Sequence, residues 1–325
     1  MGESGASDGA VLAVDLGGTA IKGALVDRRG RALRELVRPT PGGGGPGALS
    51  ALDAVVASLA ADGADGARVR VVSVVVPGIV DVEAGRIVFA GNLGLRDVAV
   101  RDRLSALTEL PTVVEHDVRA AGVAERTIGA ARESSDHIVA VCGTGIAAAV
   151  VSNGAVVAGA HGVAGEFGHV PVRPDGERCE CGQRGCLERY ASAAAIARRY
   201  AALGGEPGAS ARSVVERLAT DPAAARAWEE ACEALGIALA GATTLLDPSL
   251  VVISGGLAAA GEALAAPVRE TLSARLAWRS AVPEVRCSPL AGRAGLLGAA
   301  VLGWRHVLGA GGDDAFREWY SPISS

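Results

Sequence analysis

Three cysteines fall within eight positions of this chain, Cys179, Cys181 and Cys186, in a stretch that also holds Gly176, Gly182 and Gly185. Zinc takes four nitrogen or sulfur ligands in a tetrahedron, and glycines let a short loop wrap around it. His169, ten positions upstream of Cys179, completes a Cys₃His set. Four protein ligands leave no open position for water, so the role expected for Zn²⁺ is structural. The other three cysteines, Cys142, Cys232 and Cys287, are scattered. A cluster of this kind without a secretion signal points to a metal site in a reducing, cytoplasmic compartment rather than to a disulfide framework.

Two glycine turns form a second group. Asp15-Leu16-Gly17-Gly18-Thr19 and Gly143-Thr144-Gly145 each follow an apolar run and precede another. Backbone N–H groups and a hydroxyl in such a turn can meet phosphate oxygens, and Asp15 can hold Mg²⁺ or its water. Neither turn ends in the Gly-Lys-Ser/Thr of a P-loop, and each alone also suits an ordinary hairpin. As a pair they read as a clamp on the phosphates of a nucleotide. Gly255-Gly256, after the apolar run Ser249–Ser254, would let an adenosine approach the backbone, or would simply turn a strand into a helix. A third group is Glu115-His116-Asp117, placed at a strand end before a helix. Asp117 there could accept the proton of an attacking hydroxyl in phosphoryl transfer, or cap the helix.

The elements that must carry these residues are legible in the pattern. Val11 to Leu16 and Ile21 to Asp27 read as strands, followed by Arg28-Arg29-Gly30 as a hairpin turn and a third strand near 31–38. Pro39 to Gly47 is a Pro/Gly-rich loop, and a helix is expected over about 50–61. Val69–Val76 is a Val-rich strand of the kind covered on both faces, closed by Pro77-Gly78. A helix near 98–107, a strand at 112–114 and a helix near 118–126 follow. Ile138 to Cys142, the Gly-Thr turn, Ile146 to Val151, the Asn153-Gly154 turn and a strand at 155–158 repeat the opening order. A helix is expected over about 260–275. The repetition predicts a duplicated α/β fold with a cleft between its halves.

Composition agrees. The 325 residues suit about two domains, half of them are apolar, and the aromatic share is only 3%, so Val-rich strands and Ala-rich helices must supply the core. The net charge of −5 lacks the basic excess of a nucleic-acid binder. No apolar stretch reaches the roughly 20 residues of a membrane span, and Met1–Ala10 has no signal-peptide pattern.

Taken together, the Asp15–Thr19 and Gly143–Gly145 turns, Gly165-Glu166-Phe167-Gly168-His169 and the Cys179–Glu188 loop resemble the ROK family (repressors, open reading frames and sugar kinases), in the family's order from about residue 11 to 305. The resemblance implies the duplicated actin/hexokinase-like (ribonuclease H-like) α/β fold with an interdomain cleft. It implies a small N-terminal domain over 1–118, joined by a C-terminal helix at about 306–325, and a large domain over 119–305 carrying the zinc loop. It implies ATP-dependent phosphorylation of a hexose at its 6-hydroxyl, with glucose the first choice and an N-acetylhexosamine (GlcNAc or ManNAc) the second. Asp117 would be the base. Asn92, Glu166, His169 and Glu188 would bind sugar hydroxyls, with Gly78 and His116 beside them, and His169 would use one ring nitrogen for zinc and the other for the sugar. A homodimer is also implied.

Three departures stand out. His116 replaces the Asn usual before the catalytic Asp, Arg119 replaces an Asn two positions after it, and Ala147-Ala148-Ala149 replaces a glycine run. The added methyls could crowd a phosphate or pack in a strand. ATP is expected as donor over polyphosphate, since the sequence shows no obvious Lys/Arg cluster. A sugar-sensing regulator is the alternative class. The family's repressors carry a winged helix-turn-helix ahead of the first strand, for which the strand at Val11 leaves no room.

Overall fold

The computed structural model describes residues 9–42, 45–62, 67–309 and 316. The chain divides into two compact units. One holds the residues up to Gly129, Ala160–Gly162 and those from Arg293 onward; the other holds Ala130–Gly159 and Val163–Gly292.

The first unit opens with β1 (Ala10–Leu16), β2 (Ala20–Asp27) and β3 (Ala32–Pro39), an antiparallel meander, followed by helix α1 (Pro46–Asp62) and β4 (Val69–Val76). A small antiparallel sheet of β5 (Ile79–Asp81), β6 (Arg86–Ala90) and β7 (Leu95–Val98) comes next, with a 3₁₀ turn at Gly91–Leu93. Then come α2 (Val100–Thr108), β8 (Thr112–His116) and α3 (Asp117–Ile128). The main sheet has the order β3-β2-β1-β4-β8, with β1, β4 and β8 parallel. Alternation along β1 divides its side chains between two cores. Leu12, Val14 and Leu16 pack with Leu52, Val55, Val56 and Leu59 of α1. Ala13 faces the other way, with Ala120 of α3.

The second unit repeats this plan. β9 (His137–Cys142), β10 (Ile146–Ser152) and β11 (Ala155–Val156) form the antiparallel part, and the sheet order is β11-β10-β9-β12-β13. Between β11 and β12 lie the zinc-type loop and helices α4 (Glu188–Ala191), α5 (Ala193–Ala202), α6 (Ala211–Glu216) and α7 (Pro222–Leu246). β12 (Leu250–Ser254), α8 (Glu262–Arg275) and β13 (Glu284–Cys287) complete it, with β9, β12 and β13 parallel. Asp221 caps α7 by accepting from the N–H groups of Ala223 and Ala224, with Pro222 at the first helical position. The final helix, α9 (Ala294–Leu308), returns to the first unit, where Leu296, Ala299 and Ala300 cover Ala13, Ala24 and Val75.

The duplication read from the sequence is therefore present strand for strand, and the actin/hexokinase-like fold class holds. Some boundaries differ. The first unit continues through α3 to Gly129, because α3 packs on α9 and on the first sheet, whereas the sequence reading ended it at 118. The returning helix spans Ala294–Leu308 rather than about 306–325; most of the latter range lies outside the described residues. The helix expected from 260 starts at Glu262, since Gly261 has the non-helical φ of 57° and ψ of −128°.

Candidate active site residues and metal centre

In the first unit the parallel strands bring three sequence-distant segments to one sheet edge. The register sets Asp15 beside Val75 and Val75 beside Glu115, so the carboxyl ends of β1, β4 and β8 lie side by side. Ligands of open α/β sheets bind at such carboxyl ends. The Gly17-Gly18-Thr19 turn is held open by Gly17 N–H donating to Ala20 O (3.1 Å) and by the Thr40 hydroxyl donating to Gly17 O (2.6 Å). Gly18 and Thr19 are exposed. Asn92 sits over this turn: a Cβ at position 18 would lie 3.0 Å from its Nδ2. Gly78, just past β4, lies beyond the Val76–His116 pair. Asp15 is half-buried with Lys22 Nζ 3.9 Å away; burial raises its carboxyl above the ordinary range and Lys22 opposes that. A carboxylate so placed fits a hard cation such as Mg²⁺.

Asp117 occupies the first turn of α3, where its Oδ1 accepts from the Val118 N–H at 2.8 Å. A carboxylate at a helix N-terminus is favoured by the helix dipole. The cap position itself belongs to His116. His116 Nε2 lies 3.5 Å from Asp117 Oδ1, and Nδ1 is buried with no hydrogen-bond partner. Burial, aided by the positive charge of Arg119, lowers the imidazole to about 4, so it is neutral near pH 7. Arg119, at the second departure, is 5% exposed. Its Nε and Nη2 donate to Glu115 Oε1 at 2.8 and 2.7 Å, and Nη1 donates to Gly162 O at 2.8 Å. Glu115 Oε1 also accepts from the His116 N–H at 2.6 Å. Arg119 thus fixes the backbone from which Asp117 projects. The four-residue spacing of Glu115 and Arg119 was the available signal, but it spans a strand–helix junction and the sequence reading missed it.

In the second unit, Gly143-Thr144-Gly145 joins β9 to β10, with Thr144 and Gly145 exposed. Glu188, the first residue of α4, reaches back so that its Oε2 accepts from the Ile146 N–H at 2.8 Å. A Cβ at position 145 would come 2.7 Å from that oxygen, so a side chain there would push the carboxylate aside. Ala147, Ala148 and Ala149 lie inside β10, the last two buried, and Ala148 N–H donates to Gly165 O at 2.8 Å. The methyls therefore pack in a strand. Gly255 follows β12 against the Cys142 carbonyl, and Gly256 is open to solvent. Cys142 itself is buried and pushed up to about 12 by burial, an inert thiol.

The four expected zinc ligands converge. One ligand atom from each of His169, Cys179, Cys181 and Cys186 lies within 4.8 Å of all the others. Cys179 Sγ is 3.7 Å from His169 Nδ1, and Cys181 Sγ is 3.6 Å from Cys186 Sγ. A tetrahedron with metal–sulfur bonds of about 2.3 Å has edges of about 3.7 Å, so the donor set fits Zn²⁺. Cys186 is wholly buried, and that burial pushes its thiol up to about 12, so a cation would be what makes it a thiolate. The loop closes through Cys179 N–H to Gln183 O (2.9 Å) and Gly185 N–H to Glu177 O (2.8 Å). Gly185 has φ +74°, and a Cβ there would fall 1.6 Å from Arg173 O, so only glycine completes this turn. With Nδ1 facing the cysteines, His169 Nε2 points the other way, 4.0 Å from Glu166 Oε2. No helix among the described residues is long and apolar enough to cross a membrane.

Comparison with known proteins gives a consistent result. Residues 11–305 match the ROK family. The glucokinase of Thermotoga maritima is 35% identical over 310 residues, 89% of this chain and 96% of that protein. A ROK family glucokinase from Streptomyces griseus, solved in complex with glucose and AMPPNP, superposes with a TM-score of 0.80 at 33% identity, covering 90% of this chain and 99% of the other. The ROK hexokinase from Thermus thermophilus gives 0.77 at 33% identity, over 92% and 99%.

Proposed function

The chain belongs to the ROK family, and from that premise we propose that it is an ATP-dependent glucose kinase that phosphorylates the 6-hydroxyl. The observation that carries the reading is Asp117, retained at the carboxyl end of β8 in a chain that matches glucokinases along nearly all of its length.

Phosphoryl transfer requires positioning and charge stabilisation more than covalent chemistry. Asp117, held at the start of α3 by the Val118 N–H on Oδ1, is the carboxylate assigned to the sugar 6-hydroxyl. It takes the proton as that oxygen attacks the γ-phosphorus in line. His116, neutral at working pH, leaves the Asp117 charge intact and is assigned to the sugar by its place beside Asp117. Asn92 and Gly78 in the first unit and Glu166, His169 and Glu188 in the second are assigned to the sugar. Gly17, Gly18, Thr19, Gly143, Thr144 and Gly145 are assigned to the phosphates, and Gly255 and Gly256 to the adenosine. Asp15 would hold Mg²⁺ or its water, and Mg²⁺ bound with ATP would neutralise phosphate charge. His169, Cys179, Cys181 and Cys186 would hold a structural Zn²⁺, fixing the aim of His169 Nε2. A cytoplasmic homodimer completes the reading.

The test is ADP release measured over glucose, mannose, glucosamine, N-acetylglucosamine and N-acetylmannosamine, with ATP and with polyphosphate. Turnover is expected to be highest with glucose and ATP, and Asp117→Asn should reduce kcat by roughly 10²- to 10⁴-fold with glucose binding retained. Near-normal turnover in that variant would remove Asp117 as the base. No sugar-dependent signal from the wild type would leave the sensor reading in its place.

A further inference from the structure

Away from the residues assigned to sugar and nucleotide, the second unit contains a cavity of about 290 Å³ lined by Arg173, Arg189, Arg199, Glu177, Glu230 and Tyr190. Three guanidinium groups thus meet two carboxylates, and both carboxylates are shared with further arginines outside the lining. Glu177 Oε2 accepts from Arg189 at 3.3 Å and Arg198 at 2.8 Å. Glu230 accepts from Arg199 at 2.7 and 2.9 Å and from Arg226 at 3.0 Å. Arg173 has only a loose carboxylate neighbour, Glu233 at 3.6 Å, and its guanidinium lies 4.9 Å from the Tyr190 ring centroid. Arg189 Nε is buried with no acceptor at all. The lining is therefore short of acceptors, and buried donors without partners call for an explanation.

We propose that this cavity is a binding site for a small phosphate-bearing anion. Guanidinium forks converging from different backbone segments suit a tetrahedral oxyanion, which accepts from several directions at once. The volume sits at the lower end of the range for ligand pockets, which fits inorganic phosphate or a small phosphate ester. The frame is rigid. Arg199 and Glu230 come from α5 and α7, while Glu177 N–H donates to the Tyr190 hydroxyl at 2.8 Å, tying the zinc-type loop to α4.

Calorimetric titration of the full-length protein with inorganic phosphate, and in a second arm with glucose 6-phosphate, tests the assignment. Arg173→Met keeps the packing on Tyr190 while removing a charge, and Arg199→Met removes a second charge from the lining. Both should weaken binding by roughly tenfold or more, the loss expected for one charge-assisted hydrogen bond. KM for glucose and ATP should stay within about twofold of wild type, which separates this cavity from phosphate binding at the nucleotide turns. Binding confined to the ester arm, with the same arginine dependence, supports a phosphate ester as the ligand. Absence of heat in both arms overturns the proposal, as does wild-type affinity in Arg173→Met, whose side chain is partly exposed and can be replaced without opening the core. Because the readout is binding, loss of the kinase reading would appear separately, as a wild type without turnover.

Discussion

At the scale of single residues, the His116–Asp117 pair shows how local chemistry and burial combine. The imidazole is neutral because it is desolvated and lies near Arg119, and its proton affinity is lower folded than unfolded. A base with a depressed folded pKa binds fewer protons in the native state, so its contribution is fully present above about 6.5. It is lost as pH falls towards about 4, and on the order of 2–3 kcal/mol is at stake. Denaturant unfolding followed from pH 7 to pH 4 should show this slope, and His116→Asn should flatten it. An unchanged slope in the variant would mean that other groups carry the acid sensitivity. The sequence reading noted His116 as a departure. It could not see that Nδ1 would be buried without a partner, because burial is set by residues distant in the chain.

At the scale of elements, turns and helix starts decide where functional groups sit. At the β9–β10 turn the Glu188 carboxylate takes the Ile146 N–H and lies close over Gly145, which has no side chain to displace it. Gly145→Ala should displace Glu188. The expected result is a glucose KM raised by roughly tenfold or more, from the loss of one hydrogen bond to a charged group, with folding intact. Unaltered KM would show that Glu188 does not depend on this turn for its position. The strands, the Gly-Thr turns and α3 were legible in advance because their signals are local: Val-rich runs, hairpin residues and an acidic helix start. The three-stranded sheet β5–β7, strand β13 and helices α4–α7 were not assigned, and α9 was placed too far toward the C-terminus. Ala-rich segments such as 222–246 are apolar nearly all round, so they show little periodicity, and their partners define them.

At the scale of the whole molecule, each unit has its own core, and the candidate metal centre belongs to the second alone. Chelation of Zn²⁺ should therefore act locally. Hydrogen exchange is expected to speed up over 165–192 while β1, β4 and β8 keep their protection, and Cys181→Ser should reproduce the pattern. Loss of protection in both units together would show that the centre supports the entire fold.

The sequence by itself determined the Cys₃His donor set, the two glycine turns, the place of Asp117 at a helix start and the repeated strand-turn-strand pattern, since each rests on residues close in the chain or on strand patterning. The tertiary structure decided what long-range packing controls. It placed Asn92 over Gly18, Arg119 on Glu115 and Gly162, and α9 on the first sheet. It also gathered Arg173, Arg189 and Arg199 around one cavity, with Arg198 and Arg226 on its carboxylates, where the sequence shows no obvious Lys/Arg cluster. Charges far apart in sequence line one cavity only when helices α5 and α7 and the zinc-type loop pack together, and that is a property of the fold.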